Sequence, residues 1–288
     1  MDNRAIPAWV TGRGAIALDS PRILGILNLT PDSFFDGGLY AGVEAAVAHA
    51  ERLLAEGADV LDVGGESTRP GAASVPAADE LARVLPVVRE LVRRFPDAPI
   101  SIDTVKSEVA AAVLAEGAWI VNDVSGLRLD PRLAGVIADA RAGAVLMHSR
   151  GSVAEMASYA TAQYGSDPVA EIAQELQRAL QCARAAGIAE DAIVLDPGLG
   201  FSKRTEHSLG VLGRLDRILA LGRPVMLGPS RKRFVGEVAG GLAPAERLEG
   251  TIAACVAGLL AGARLFRVHD VAPVRRALAV AEAVRRAT

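Results

Sequence analysis

The chain is short of several things at once. Cys182 and Cys255 are the only 2 cysteines in 288 residues, too few for a disulfide scaffold. Long apolar runs are missing: the longest, "IAACVAGLLAGA" (252–263), falls short of the roughly 20 residues a bilayer span needs. The opening "MDNRAIPAWVTGRGAIALDS" lacks the apolar core of a secretory leader. No charge of one sign dominates, for the formal net charge is −3, so nothing points to a nucleic-acid or membrane surface. These absences predict a soluble cytoplasmic protein. Lysine and asparagine are scarce too. Arginine serves as the usual cation, and the only lysines are Lys106, Lys203 and Lys232; the only asparagines are Asn3, Asn28 and Asn122. In a chain so biased, the few that remain mark positions where another residue would not serve.

What is present is one pattern repeated. Short apolar runs occur at "ILGILNLT" (23–30), "DVLDVGG" (59–65), "PISIDT" (99–104) and "AWIVNDVSG" (118–126). They continue with "AVLMHS" (144–149), "AIVLDPGLG" (192–200), "PVMLGPS" (224–230) and "LFRVHDV" (265–271). Stretches with apolar residues at helical spacing lie between them, several closed by glycine. Near-continuous apolar strands alternating with helices predict a parallel sheet covered by helices. Eight such units predict an α/β fold of the (β/α)8 TIM barrel type, with an open doubly wound sheet as the alternative. The expected organisation is a single domain over 1–288, with the barrel proper from about residue 22. "GRGAIALDS" is expected to form a short hairpin closing the barrel bottom.

Each run ends in a polar residue: Asn28, Asp62, Asp103, Asn122, His148, Asp196, Ser230, and Arg267 with His269. Barrel sites form at the C-terminal ends of strands, so these groups are expected to converge on one mouth. Asp103, Asn122 and Asp196 suit the N–H edge of a heterocycle such as an amino-pyrimidinone. Asp62 reads as structural. Arg267 and His269, two residues apart, point the same way from a strand, and the arginine fork suits phosphate oxygens. The competing reading for Arg267 is a salt bridge to Asp270. Arg231 and Lys232 follow the seventh run. Loops "NLTPDSFFDGG" (28–38) and "GGESTRPGA" (64–72) have the composition of segments that move over a site. His49 and His207 lack zinc-ligand spacing and read as surface residues.

Taken together, "GILNLTPDSFFDGG", "DVGGESTRPGA", "SIDT", "NDVSG", "LMHS", "DPGLGF", "SRK" and "RVHDV", in that order, resemble the dihydropteroate synthase family from about Ile23 to Leu278. The resemblance implies a transferase of folate biosynthesis. It would join p-aminobenzoate to 6-hydroxymethyl-7,8-dihydropterin pyrophosphate by a largely dissociative displacement, assisted by Mg²⁺. It implies pterin contacts from Asp103, Asn122, Asp196 and Lys232, and pyrophosphate contacts from Asn28, Thr68, Arg267 and His269, with Asn28 also reaching the metal. Phe34, Thr68, Arg69, Pro70, Phe201 and Lys232 would surround the aminobenzoate, Asp36 would close near the reacting carbon, and the assembly would be a homodimer. Ser149, Arg150, Pro229 and Arg233 depart from the family's common pattern, and Arg233 would alter the site of the aminobenzoate carboxylate. A pterin-dependent methyltransferase shares the aspartate and asparagine positions but has no use for a phosphate clamp. A non-catalytic paralogue would have lost the two loop motifs.

Overall fold

The computed structural model describes residues 8–29, 39–67 and 74–287. Strands β1 (Ala8–Thr11) and β2 (Gly14–Ala17) pair antiparallel as a hairpin; the segment expected to form it, 12–20, holds the turn and β2, while β1 precedes it. Eight parallel strands follow: β3 (Arg22–Asn28), β4 (Val60–Gly64), β5 (Ile100–Asp103), β6 (Ile120–Asp123), β7 (Gly143–Met147), β8 (Ile193–Asp196), β9 (Met226–Leu227) and β10 (Leu265–Val268). Their spatial order is β8-β7-β6-β5-β4-β3-β10-β9, and a parallel bridge from Leu195 to Val225 joins the two ends. The sheet is therefore a closed barrel, and the open-sheet alternative is excluded.

Side-chain alternation divides the barrel into two environments. Ile23, Leu27, Leu61, Val63, Ile102, Val121, Leu146, Leu195 and Phe266 belong to the outer core, where they meet the apolar stripes of the surrounding helices. Helix 77–94 contributes Val84, Val87, Val88 and Leu91, all buried and spaced at three and four residues. Helix 168–185 begins where Asp167 accepts a hydrogen bond from the Ala170 N–H at 3.1 Å, with Pro168 in its first turn.

Inward residues form a second, smaller core of Leu24, Val60, Ile120, Val145, Val194, Met226 and Leu265, capped from below by Trp9, Ile16 and Leu18. Trp9 is fully buried, and its indole N–H donates to the Ala192 carbonyl at 2.7 Å. The hairpin thus plugs the barrel bottom. One inward step up each strand, the character changes: Val60 is followed by Asp62, Ile120 by Asn122, Val194 by Asp196, and Leu265 by Arg267. The period of two that fills the bottom with hydrocarbon lines the top with polar groups.

Candidate active site

The polar layer forms one connected network. Arg267 Nε donates to Asp62 at 2.6 Å and its Nη2 to Asp103 at 2.7 Å. Asp270, the alternative partner, is taken by Arg231 at 3.0 and 2.7 Å. Asp62 is fully buried and also receives the Asn122 amide at 3.3 Å. The structural reading of Asp62 is therefore right, and its task is specific: it orients both an arginine and an amide of the mouth. Those two partners lie 205 and 60 residues away along the chain, so no local sequence pattern announces them.

Asp103, Asn122, Asp196, Phe201, Lys232 and Arg267 line a single pocket, completed by Val124, Met147, Gly198, Leu199 and Gly228. A larger, open hollow beside Arg13, Trp119 and Arg141 lies at the hairpin end; it has none of the strand-end polar residues. Within the mouth pocket, Asn122 Oδ1 is buried and has no hydrogen-bond partner among the described residues. An acceptor in that condition costs free energy until a donor arrives.

Burial shapes the charges. It pushes the Asp103 carboxyl up to about 7 against the pull of Arg267, and Asp196 up to about 6 against the Gly198 N–H, which donates to it at 2.7 Å. Lys232 is brought down to about 7 by burial, with Arg267 adding to the effect and Asp196 and Asp103 opposing it. Its ammonium stands 3.4 Å from the centre of the Phe201 ring, a favourable cation–π placement. Carboxylates and ammonium thus sit near the point where protons exchange at neutral pH, a common condition of binding and catalytic sites.

Further up β10, His269 Nδ1 lies 2.9 Å from Ser230 Oγ, and that same oxygen accepts the His269 backbone N–H at 3.2 Å. With its backbone bond accepted, the hydroxyl is free to donate its proton to Nδ1, which leaves Nε2–H as the outward donor. Burial and the neighbouring Arg267 and Arg231 push the imidazole down to about 3, so His269 is a neutral donor beside a permanent cation. Asn28 ends β3 next to Gly64. A Cβ on Gly64 would stand 3.6 Å from Asn28 Oδ1 and 3.8 Å from Asp103 Oδ2, so glycine leaves the space beside both oxygens open.

Phe34, Asp36, Thr68, Arg69 and Pro70 lie outside the described residues. The base of the second loop is described: Lys106 bridges Glu66 at 2.7 Å and Glu80 at 2.5 Å, and Glu66 also receives the Val75 N–H at 2.7 Å. Arg233 stacks 4.6 Å from the Tyr159 ring centre. Arg231 pairs with Asp270. One reading needs correction. His207 is not a solvated surface residue: its side chain is 14% exposed and packs edge-on against Tyr164 at 4.8 Å. Nothing but scarcity singles out Lys203 along the chain, yet it is buried against His148.

Comparison with known proteins agrees with this geometry. The family model for the pterin binding enzymes matches residues 24–269. The dihydropteroate synthase of Neisseria meningitidis serogroup B is 43% identical over 282 residues, covering 96% of this chain and 97% of that one. A fungal relative, the folic acid synthesis protein fol1 of Pneumocystis carinii, is 42% identical, but this chain spans only 34% of its length. Among solved structures, the Xanthomonas albilineans dihydropteroate synthase with 4-aminobenzoic acid superposes with a TM-score of 0.88 at 46% identity, covering 97% of this chain and 98% of that one. The Yersinia pestis dihydropteroate synthase, solved with a sulfonamide drug, gives 0.89 at 36% identity over 97% and 99%. Matched by the family model over most of its length and by bacterial relatives nearly end to end, the chain belongs to the pterin binding enzymes, in the dihydropteroate synthase family.

Proposed function

We propose that this barrel condenses 6-hydroxymethyl-7,8-dihydropterin pyrophosphate with p-aminobenzoate, releasing pyrophosphate and 7,8-dihydropteroate. The observation that carries the reading is Asn122 Oδ1, buried without a hydrogen-bond partner among the described residues, in the pocket it shares with the Asp103 and Asp196 carboxylates. A pterin edge brings several N–H donors to such a set, satisfying the orphaned acceptor and the carboxylates together.

In this reading Asp103, Asn122 and Asp196 hold the pterin and Lys232 contacts it from the Phe201 side. Ionised Asp103 and Asp196 stabilise positive charge that spreads over the pterin as the methylene carbon–oxygen bond breaks. Arg267 Nη1, which has no hydrogen bond among the described residues, and His269 Nε2–H face the departing pyrophosphate and neutralise its growing charge. The aminobenzoate nitrogen then forms the new bond to the methylene carbon and gives up a proton. Phe201 and Lys232, with Phe34, Thr68, Arg69 and Pro70 of the two loops, would surround the aminobenzoate. Thr68 would also reach the pyrophosphate, and Asp36 the reacting carbon.

Asn28 would contribute one oxygen to Mg²⁺, beside the space that Gly64 leaves open. Mg²⁺ typically takes one or two protein oxygens and fills its remaining positions with phosphate oxygens and water, so a lone amide carbonyl is a sufficient donor. The ion would supply charge neutralisation on the leaving pyrophosphate. We further propose a cytoplasmic homodimer. Cys182 and Cys255 are unpaired thiols, and Leu260, Val280 and Val284 are exposed on the packed outer helices 248–261 and 271–286, apolar surface suited to a second subunit.

The test is product identification. The purified protein, given the pterin pyrophosphate, p-aminobenzoate and Mg²⁺, is expected to yield 7,8-dihydropteroate by mass. Chelation should suppress the product, and added Mg²⁺ should restore it. A protein that binds the pterin yet forms no dihydropteroate overturns the reading.

A further inference from the structure

Lys203 is among the largest fully buried side chains, 1% exposed, and it lines no part of the mouth pocket. Its ammonium lies 3.0 Å from the Phe201 carbonyl, 3.4 Å from the His148 carbonyl and 2.7 Å from His148 Nδ1. An ammonium carries three donors and no acceptor, so these three acceptors satisfy it. His148, accepting at Nδ1, must carry its ring proton on Nε2, which donates to Glu175 at 3.0 Å. Glu175 is held in turn by Arg150.

Filling this space with hydrocarbon would avoid the cost of desolvating a charge that has no counter-ion among its hydrogen-bond partners. What the ammonium accomplishes that hydrocarbon would not is to tie two separate strand ends together. His148 follows β7, and Phe201 lies in the turn after β8. The Phe201 ring is the surface on which the Lys232 ammonium rests.

We propose that Lys203 is a positioning residue for the aminobenzoate end of the site, acting through the Phe201 carbonyl and His148 without touching either substrate. This rests on the functional reading above, in which Phe201 and Lys232 line the aminobenzoate pocket. Loss of the ammonium releases the Phe201 carbonyl and lets the ring and Lys232 drift. The pterin carboxylates keep their places, Asp103 fixed by Arg267 and Asp196 by the Gly198 N–H.

The test compares Lys203→Met with the wild-type enzyme in steady-state kinetics that vary each substrate separately. Losing a charge-assisted hydrogen bond should raise KM for p-aminobenzoate about tenfold. KM for the pterin pyrophosphate and kcat should each change by less than about threefold. A merely structural lysine would instead lower kcat through lost active protein and leave both KM values alone; that outcome overturns the proposal. A second pair guards against a variant that fails to fold. His148→Asn keeps an acceptor near the Nδ1 position and should remain close to wild type, while His148→Leu removes it and should raise the aminobenzoate KM. A His148→Leu enzyme with wild-type KM overturns the proposal. Absence of dihydropteroate from the wild-type protein overturns the functional reading, and this inference with it.

Discussion

Replacing Arg267 with methionine leaves Asp62 and Asp103 facing each other without the cation that both of them hold. Asp62 is fully buried and Arg267 is 20% exposed at its side chain, so the pair stands nearer to a buried ion pair than to a surface one. Removing one partner of a buried pair costs about 3–5 kcal/mol. Asp103, already raised to about 7, relieves part of this by taking up a proton, so the expected loss is about 3 kcal/mol, at the low end of that range. For a chain of this size that corresponds to a fall in Tm of about 6 °C. Adding Asp62→Asn removes the remaining uncompensated charge and should recover part of the fall, so the double variant is more stable than the single one. Activity should not return: without the phosphate-facing donor, kcat/KM should stay about 100-fold or more below wild type in both. Calorimetry and a pyrophosphate-release assay on the two variants separate the effects. An Arg267→Met protein with wild-type Tm, or a double variant less stable than the single, refutes the reasoning.

At the other end of the barrel, Trp9→Ala should cost about 3–5 kcal/mol, the usual range for emptying a buried aromatic site, seen in urea unfolding. Turnover per folded molecule should be unchanged, and a large kcat effect would contradict the division between plugged bottom and working mouth. Gly198→Ala should be poorly tolerated, because φ is +68° and the new Cβ would meet the His148 carbonyl oxygen at 2.1 Å, a backbone clash that moves the Asp196 turn. Soluble protein with wild-type pterin affinity would argue against it. Because burial lifts Asp103 from 3.8 to about 7, the ligand-free fold keeps a proton over that interval which the unfolded chain gives up. Its stability should therefore fall as pH rises through the interval. Asp103→Asn should flatten this slope in urea midpoints measured across pH, and an unaltered slope would show that another group is responsible.

The strand-end residues were legible because period-two alternation is a local property: Val60 to Asp62 and Leu265 to Arg267 to His269 can be placed on one face from spacing alone. The hairpin was legible in part: the glycine-containing segment 12–20 holds its turn and β2, while β1 (Ala8–Thr11) lies before it. Scarcity was informative as well. Lys203 is buried, Lys232 lines the pocket, and Lys106 bridges Glu66 and Glu80 near the mouth. Asn28 and Asn122 both stand at inward strand ends. Pairing was not legible. That Asp270 belongs to Arg231, Asp62 to Arg267 and His148 to Lys203 depends on contacts across 39, 205 and 55 residues, which closure of the barrel decides and no local pattern encodes. His207 was misread for the same reason, since its cover is Tyr164, 43 residues earlier in the chain and outside its own helix 205–213.

The most direct test of the account is pyrophosphate release by the purified protein with the pterin pyrophosphate and Mg²⁺, measured with and without p-aminobenzoate. The account predicts release that depends on the amine and matches dihydropteroate mole for mole. Release that is indifferent to the amine, or none despite measurable pterin binding, would contradict it.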